Sequence, residues 1–246
     1  MSAPRGSGRR HHRGARQAVA ELVATYGLPL TADAQLQALL AALTEDPHAP
    51  TTIHDPLTAV RDHLADSLVA LELPAVSGAT QIADLGSGAG LPGLPLAIAL
   101  PATAVTLVES SRRKCEFLGR AGDVAAVTNA TVVHARAEEW PAGRETCDLV
   151  TARALAPLAV VAEYAAPLLT LGGALVAWRG QRDAADEESA ARAAAELGLE
   201  TRPPHPVTPY PGALHRHLHV LVKSSPTPDR FPRRSGMARK RPLGGV

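Results

Sequence analysis

The sequence predicts an α/β fold built on a mainly parallel sheet, with a helical cap before it and an antiparallel strand pair after it. From Gln81 onward, short apolar runs alternate with helical stretches, the order that puts helices on both faces of a parallel sheet. Before Gln81, apolar residues recur only at helical spacing. Beyond Glu200, two strand candidates are joined by the Pro-rich loop TPYPGALHR, a short link more easily closed antiparallel than parallel.

The elements follow in order. Residues 1–16, MSAPRGSGRRHHRGAR, read as a basic disordered arm. In the cap, 17–76, Val19, Leu22 and Val23 and then Leu36, Leu39, Leu40 and Leu43 form helical stripes around a Gly27-Leu28-Pro29 break. A Pro-rich linker leads to a second helix over Leu57–Leu73, with Val60, Leu64, Leu68 and Leu71 on one stripe and Pro74 beyond its end. The main domain, 77–225, opens with the strand QIADL and a Pro-started helix. VTLVE, the helix SRRKCEFLGRAGDV, TVVHA, CDLVTARA, the helix PLAVVAEYAAPLL and GALVAW come next. A helix near Asp186–Leu197 precedes the strand candidates Glu200–Val207 and His217–Lys223, and 226–246 form a basic C-terminal arm.

At 246 residues with 46% hydrophobic content, the chain can bury a sizeable core. Cys115 and Cys147 are too few for a disulfide framework or a four-cysteine zinc site, so the expected setting is reduced and cytoplasmic. The uncharged stretch Gly93 to Val108 is interrupted by Pro95 and Pro101 and is too short to cross a bilayer, so no membrane partner is expected. The net charge of +1 conceals an asymmetry: five Arg and no acid in 1–16, and six basic residues against Asp229 in 226–246. The two ends therefore carry +10 and the body −9. Basic ends on an acidic body point to a polyanion, most simply nucleic acid.

The strongest local signal is Asp84-Leu85-Gly86-Ser87-Gly88-Ala89-Gly90-Leu91-Pro92-Gly93, between a strand and a helix. Glycines there allow positive φ and close approach of backbone to a ligand. Glu109 closes the next strand, 25 positions after Asp84, where a carboxylate can accept from the ribose hydroxyls of an adenosine ligand. Gly88 to Gly93 also satisfies GxGxxG, so NAD must be weighed against S-adenosylmethionine. A carboxylate at the tip of the first strand would repel a pyrophosphate but suit a cationic amino group. The absence of a second nucleotide-binding half points the same way, towards S-adenosylmethionine.

Beyond this loop the chain resembles the small-subunit ribosomal RNA methyltransferase G family, also called glucose-inhibited division protein B. The resemblance runs from about Thr51 to Leu243 and rests on an ordered series. This comprises His63-Leu64-Ala65-Asp66-Ser67-Leu68, DLGSGAGLPGLPLAI, Leu107-Val108-Glu109-Ser110 with RRKCEFL, Arg136-Ala137-Glu138-Glu139, Thr151-Ala152-Arg153-Ala154 and Phe231-Pro232-Arg233-Arg234-Ser235-Gly236 through Leu243. The chain departs from the pattern at Asp62, where the family often has a basic residue, at Arg179, where it often has Lys, and at Ala49-Pro50-Thr51.

The resemblance implies a Rossmann-like class I S-adenosylmethionine-dependent methyltransferase fold and methylation at N7 of a guanosine in 16S ribosomal RNA, position 527 in the conventional count. It places cofactor contacts on Gly86, Leu91, Ala137, Glu138 and Arg153. With the loop reading, the expected cofactor-binding set is Asp84, Gly86, Ser87, Gly88, Gly90, Leu91, Glu109, Ala137, Glu138 and Arg153. The expected RNA contacts are Arg112, Arg113, Lys114, Arg136, Arg233, Arg234, Arg239 and Lys240, with 16S rRNA or the small subunit as partner and the protein a monomer. Two alternatives stay open: an NAD-dependent oxidoreductase, and a non-catalytic RNA-binding assembly factor that keeps the methyltransferase fold.

No catalytic dyad is visible, which suits attack by a ring nitrogen whose lone pair carries no proton. Cytosine C5 methylation requires a loop thiolate, whereas Cys115 falls within a predicted helix and Cys147 leads into a strand. Amino-group methyltransferases commonly carry Asn/Asp-Pro-Pro-aromatic where this chain has Thr151-Ala152-Arg153-Ala154. His215, His217 and His219 alternate along the last strand without a carboxylate or cysteine to complete a metal set, and no metal is expected.

Overall fold

Leucines spaced three or four apart need a partner along one face, and in α2 (Ala32–Glu45) Leu36, Leu39, Leu40 and Leu43 are all buried. The architecture comes from a computed structural model that describes residues 7–245, with side chains from residue 12 onward. α1 (Ser7–Tyr26) packs on α2 through Ala15 and Val19. The chain reverses between them at Gly27, φ +58°, a left-handed position that glycine adopts without a Cβ clash. One boundary is corrected here. The arm read as disordered over 1–16 is helical from Ser7, because Ala15 joins the buried stripe of Val19; residues 1–6 lie outside the described residues.

The second cap helix begins at α3 (Pro56–Ala59), where the Asp55 side chain accepts from the Thr58 amide at 2.9 Å. It is not one regular helix. A π-helical segment (Val60–Ala65), α4 (Asp66–Leu68) and a 3-10 turn (Val69–Glu72) follow without a break, then α5 (Pro74–Ser77). Short π segments inside helices often mark functional sites, and this one carries Asp62 and His63.

The sheet contains β1 (Gln81–Leu85), β2 (Ala104–Glu109), β3 (Ala130–His134), β4 (Cys147–Arg153), β5 (Leu169–Arg179), β6 (Leu199–Thr201), β7 (His205–Val207) and β8 (Arg216–Lys223). Its order is β3-β2-β1-β4-β5-β8-β6, with β7 also on β8. The first five strands pair in parallel, and β8 is antiparallel to β5, β6 and β7. The expected strand over 200–207 is split in two around Pro203-Pro204, which cannot donate to a ladder. β5 starts at Leu169, earlier than GALVAW suggested, across an irregularity opposite Cys147 and Leu149.

Alternation along the strands sorts the core into two halves. Ile82, Leu107, Leu149 and Val176 face the cap together with α6 (Gly93–Ala99) and α7 (Arg112–Val124). Ala83, Leu85, Val150 and Leu175 face α8 (Leu158–Ala165) and α9 (Ala184–Leu197). Asp84, Thr151 and Arg153 share the parity of Ile82 and Leu149, so they rise on the cap face.

The C-terminal segment, expected as an arm, is bound to the body. Phe231 is buried in the α8/α9 half, and the Thr227 hydroxyl lies 3.1 Å from Ala166 O and 3.0 Å from Leu197 O. A last turn, α10 (Met237–Lys240), buries Ala238. Among the described residues no helix is long and apolar enough to cross a membrane.

Candidate active site

At the carboxyl edge of β1 the chain enters its glycine loop with three positive φ values, Gly86 at +66°, Gly88 at +58° and Gly90 at +84°. The loop is anchored from below. Gly86 N and Ser87 N donate to Val108 O, at 2.8 and 3.3 Å, and the Ser87 hydroxyl donates to Asp84 O at 2.8 Å. A Cβ at Gly86 would come 2.5 Å from Leu155 Cδ1, whereas one at Gly88 would find only Gly86 O at 3.6 Å. Gly88 is thus the loop residue with open space in front of it. Ser87, Gly90 and Leu91 shape the loop from inside, with Leu91 buried in the cap-side core.

Asp84 does not stand at the strand tip as a free carboxylate. It is 1% exposed and points beneath the loop, because strand alternation turns residue 84 towards the cap. Thr151, its register partner on β4, donates to Oδ1 at 2.8 Å, and Oδ2 lies where only a glycine at 93 leaves room. The expected contact with a cationic amino group is therefore corrected to a loop-supporting role. Burial raises the Asp84 pKa from 3.8 to about 6.

A raised folded-state pKa means that the folded state binds the proton more tightly, so stability falls as pH rises from about 4 to about 6. The cost at full ionisation is on the order of 3 kcal/mol. Urea unfolding at pH 4 and pH 7 is expected to show the wild type losing this amount relative to Asp84→Asn. A pH-independent difference would contradict it.

Glu109, at the end of β2, is held between loop and helix. Oε2 accepts from Gly88 N at 3.1 Å and Oε1 from Ser111 N at 2.8 Å. Glu109 is 5% exposed, and a carboxylate has about four lone-pair sites, so it retains acceptor capacity beyond these two bonds. Next to it lies a cavity of about 70 Å³ bordered by Gly86, Ser110, Ala137, Glu138 and Tyr164. Arg136 and Arg239 also line it. Leu155 stands against Gly86, and Arg239 donates across to Leu155 O at 2.9 Å, which keeps the volume small. Glu138 accepts from Gly236 N at 3.0 Å, so the C-terminal segment forms one wall of the cavity.

Gly86 and the 136–138 segment border this opening, and Gly88 and Glu109 are joined beside it, a donor and acceptor set that fits an adenosine-containing cofactor. Leu155 and Tyr164 belong to no motif, so the sequence gives no signal for their place at this opening.

Arg153 lies one strand away. Its guanidinium donates to Asp66 Oδ2 at 2.9 Å and to Asp62 O at 3.0 Å, so its charge is matched by the cap rather than directed at a cofactor. It borders a second, larger cleft of about 430 Å³ with Asp62, His63, Asp66, Trp178 and Arg216. The sequence marks Asp62 as a family departure and His63 and Asp66 as motif residues, but not that they meet Arg153.

The expected RNA contacts separate into groups. Arg112 and Arg113 are exposed at the start of α7, with Lys114 half-buried beside them; Arg112 pairs with Glu116, both largely solvated. Arg234 and Lys240 are exposed. Arg233 is not available to a phosphate. It donates to the Glu163 carboxylate through Nε at 2.8 Å and Nη2 at 2.5 Å, and Glu163 is 1% exposed. The expected RNA contact at Arg233 is corrected to an internal ion pair. Arg136 and Arg239 are exposed as well and also line the smaller cavity.

Comparison with known proteins adds to this geometry. The family model for rRNA small subunit methyltransferase G matches residues 34–203. A ribosomal RNA small subunit methyltransferase G from Chloroflexus aggregans is 42% identical over 231 residues, covering 91% of this chain and 96% of the relative. Among solved structures, mitomycin 7-O-methyltransferase aligns with a TM-score of 0.56 at 15% identity, covering 75% of this chain and 60% of that one. The fibrillarin pre-rRNA processing protein of Methanococcus jannaschii aligns at 0.52 and 16% identity, covering 65% and 74%. Both likenesses are of the fold alone.

Proposed function

The chain belongs to the rRNA small subunit methyltransferase G family, and on that premise we propose that it transfers a methyl group from S-adenosylmethionine to N7 of a guanosine in 16S ribosomal RNA. The observation that carries the reading is the Gly86–Gly90 cradle with Gly88 N bound to Glu109, beside an open cleft at the same sheet edge. S-adenosylmethionine, when bound, supplies an electrophilic methyl on a sulphonium. The glycine backbone and Glu109 would hold its adenosine portion, with Ala137 and Glu138 beside it, and the 430 Å³ cleft would receive the nucleotide.

In the proposed transfer the N7 lone pair would form the new C–N bond as the methyl–sulphur bond broke, and positive charge would pass to the purine. No proton leaves N7, so no general base is needed. Positioning of nucleophile and methyl, which can supply several kcal/mol of the barrier, is what these residues contribute.

The test is methyl transfer from labelled S-adenosylmethionine to unmodified small subunits and to their extracted RNA, with the product mapped by cleavage at N7-methylguanosine. One modified guanosine is the expected result. No incorporation into either, with S-adenosylhomocysteine still bound, would favour the RNA-binding assembly factor instead. The substrate presented this way also separates the assembled particle from naked RNA, and a cytoplasmic setting follows from a ribosomal target.

RNA docking is assigned to Arg234, Lys240 and the Arg112-Arg113-Lys114 start of α7. Alanine at Arg234 and Lys240 together is expected to lower the slope of log affinity against log salt by roughly one for each phosphate that is no longer neutralised. An unchanged slope would remove this face from the interface.

A further inference from the structure

The charged groups around the larger cleft are paired within the fold, and what their pairing holds is a loop. Residues 208–215 join β7 to β8 as a hairpin connection, and both of its ends border the cleft, through Val207 on one side and Arg216 on the other. The Tyr210 hydroxyl donates to Asp62 Oδ1. Arg216 lies 3.6 Å from Asp66 Oδ1 and 3.9 Å from Asp62 Oδ1, so the cap grips the loop at both ends. Asp62 is itself fixed, because the next residue, His63, has Nε2 2.8 Å from the Thr51 hydroxyl.

Between these grips the chain turns tightly. Pro209 is buried, and Ala213 N donates to Tyr210 O at 3.0 Å across Pro211 and Gly212. Gly212 has φ +87°. This is a type II turn, which takes Pro first for its fixed φ and Gly second because φ is positive. The turn delivers the next residue, Leu214, to the surface, where it is 71% exposed. Leu214 is two residues from Arg216, at most about 7 Å along the chain, and so stands at the rim of the cleft.

A leucine alone on a surface is ordinary. This one is presented by a proline-stiffened loop pinned to the cap, beside the cleft that the functional reading gives to the nucleotide. Guanine N7 lies in the deep, narrow major groove of an A-form helix, beyond the reach of a side chain. On that reading N7 meets the methyl only after the nucleotide leaves its stack. The vacated position leaves two base faces open to water, and an apolar side chain that enters it covers them, the way wedge residues hold nucleic acids unstacked.

This rests on the guanosine reading above: we propose that Leu214 enters the RNA stack in place of the target guanosine and holds that nucleotide out for transfer. Asp62, where the chain departs from the family pattern, is then a positioning residue. Through Tyr210 and Arg216 it fixes the loop that carries the wedge.

The test uses small subunits reconstituted with 16S RNA carrying 2-aminopurine, whose fluorescence rises on unstacking, at the nucleotide next to the target guanosine. With S-adenosylhomocysteine present, wild-type binding is expected to raise that fluorescence and Leu214→Ala binding to leave it near the level of the free particle. Leu214→Ala is also expected to lower kcat/KM on unlabelled particles by about tenfold, whereas Leu214→Met, which keeps an apolar side chain of similar size, stays within about threefold of wild type. Melting temperature and S-adenosylhomocysteine affinity should not change in either variant, because most of the Leu214 side chain is in solvent. A wild-type rate in Leu214→Ala, or a reduced rate with the fluorescence rise intact, would overturn the inference. So would a loss of S-adenosylhomocysteine affinity or of melting temperature, which would give Leu214 a structural role. Failure of the wild type to methylate guanosine at all would overturn the functional reading and this inference with it, whereas wild-type transfer without a fluorescence rise overturns the inference alone.

Discussion

Gly88→Asp is expected to abolish measurable S-adenosylhomocysteine binding, a loss of at least a hundredfold in affinity, while the protein stays folded. At φ +58° a non-glycine residue is strained, but Asp is among the residues that tolerate that region. Nothing in the fold blocks the new side chain, since its Cβ would meet only Gly86 O at 3.6 Å. The added carboxylate instead stands beside Glu109, whose Oε2 already binds Gly88 N, on the side where the proposed reading puts the ligand. It brings bulk and like charge to the point where backbone should meet cofactor. A hundredfold loss corresponds to about 3 kcal/mol.

Gly93→Ala provides the contrast. A Cβ there would strike Leu107 and come 2.8 Å from Asp84 Oδ2, both in the packed interior, so that variant is expected to lower the melting temperature. Calorimetric titration paired with thermal melts separates the two outcomes. Wild-type affinity in Gly88→Asp would mean that the loop does not carry the ligand.

Periodicity made the strand order, the antiparallel finish and the glycine loop legible in the sequence, because each depends on neighbours in the chain or on a repeating pattern. The same alternation could have placed Asp84 on the cap face. What the pattern could not supply was the Thr151 hydroxyl against it, since that contact spans 67 positions and depends on β1 and β4 being adjacent. Basic runs were the least legible feature. Arg233 and Arg234 look equivalent as sequence, yet one meets a buried carboxylate 70 positions away and the other meets solvent. A charge declares its sign in the sequence but not its partner. The His63–Thr51 contact was hidden for a related reason: the π-helical segment sets the ring's direction, and no spacing rule predicted that segment.

Arg233→Ala should therefore act on stability before it acts on RNA. Glu163 lies in α8 with its side chain 1% exposed, and Arg233 supplies two of its hydrogen bonds through the guanidinium and a third through its backbone N at 3.2 Å. Removing the guanidinium leaves a buried charge uncompensated, which typically costs about 3–5 kcal/mol. Arg233 itself is about one-quarter exposed, so water can reach the gap and the lower end is expected. The double variant Arg233→Met, Glu163→Leu should recover most of the loss, because no charge remains buried.

The same residue holds the C-terminal segment in place. Its Nη2 donates to Arg241 O at 2.8 Å, and the segment between them supplies Gly236 N to Glu138 and Arg239 to Leu155 O. Loosening Arg233 should thus raise the KM for S-adenosylmethionine through the wall of the smaller cavity. Urea unfolding of the single and double variants, read beside that KM, tests both steps. An Arg233→Ala protein of wild-type stability with weakened RNA binding would return Arg233 to the RNA interface and detach the C-terminal segment from the cofactor site.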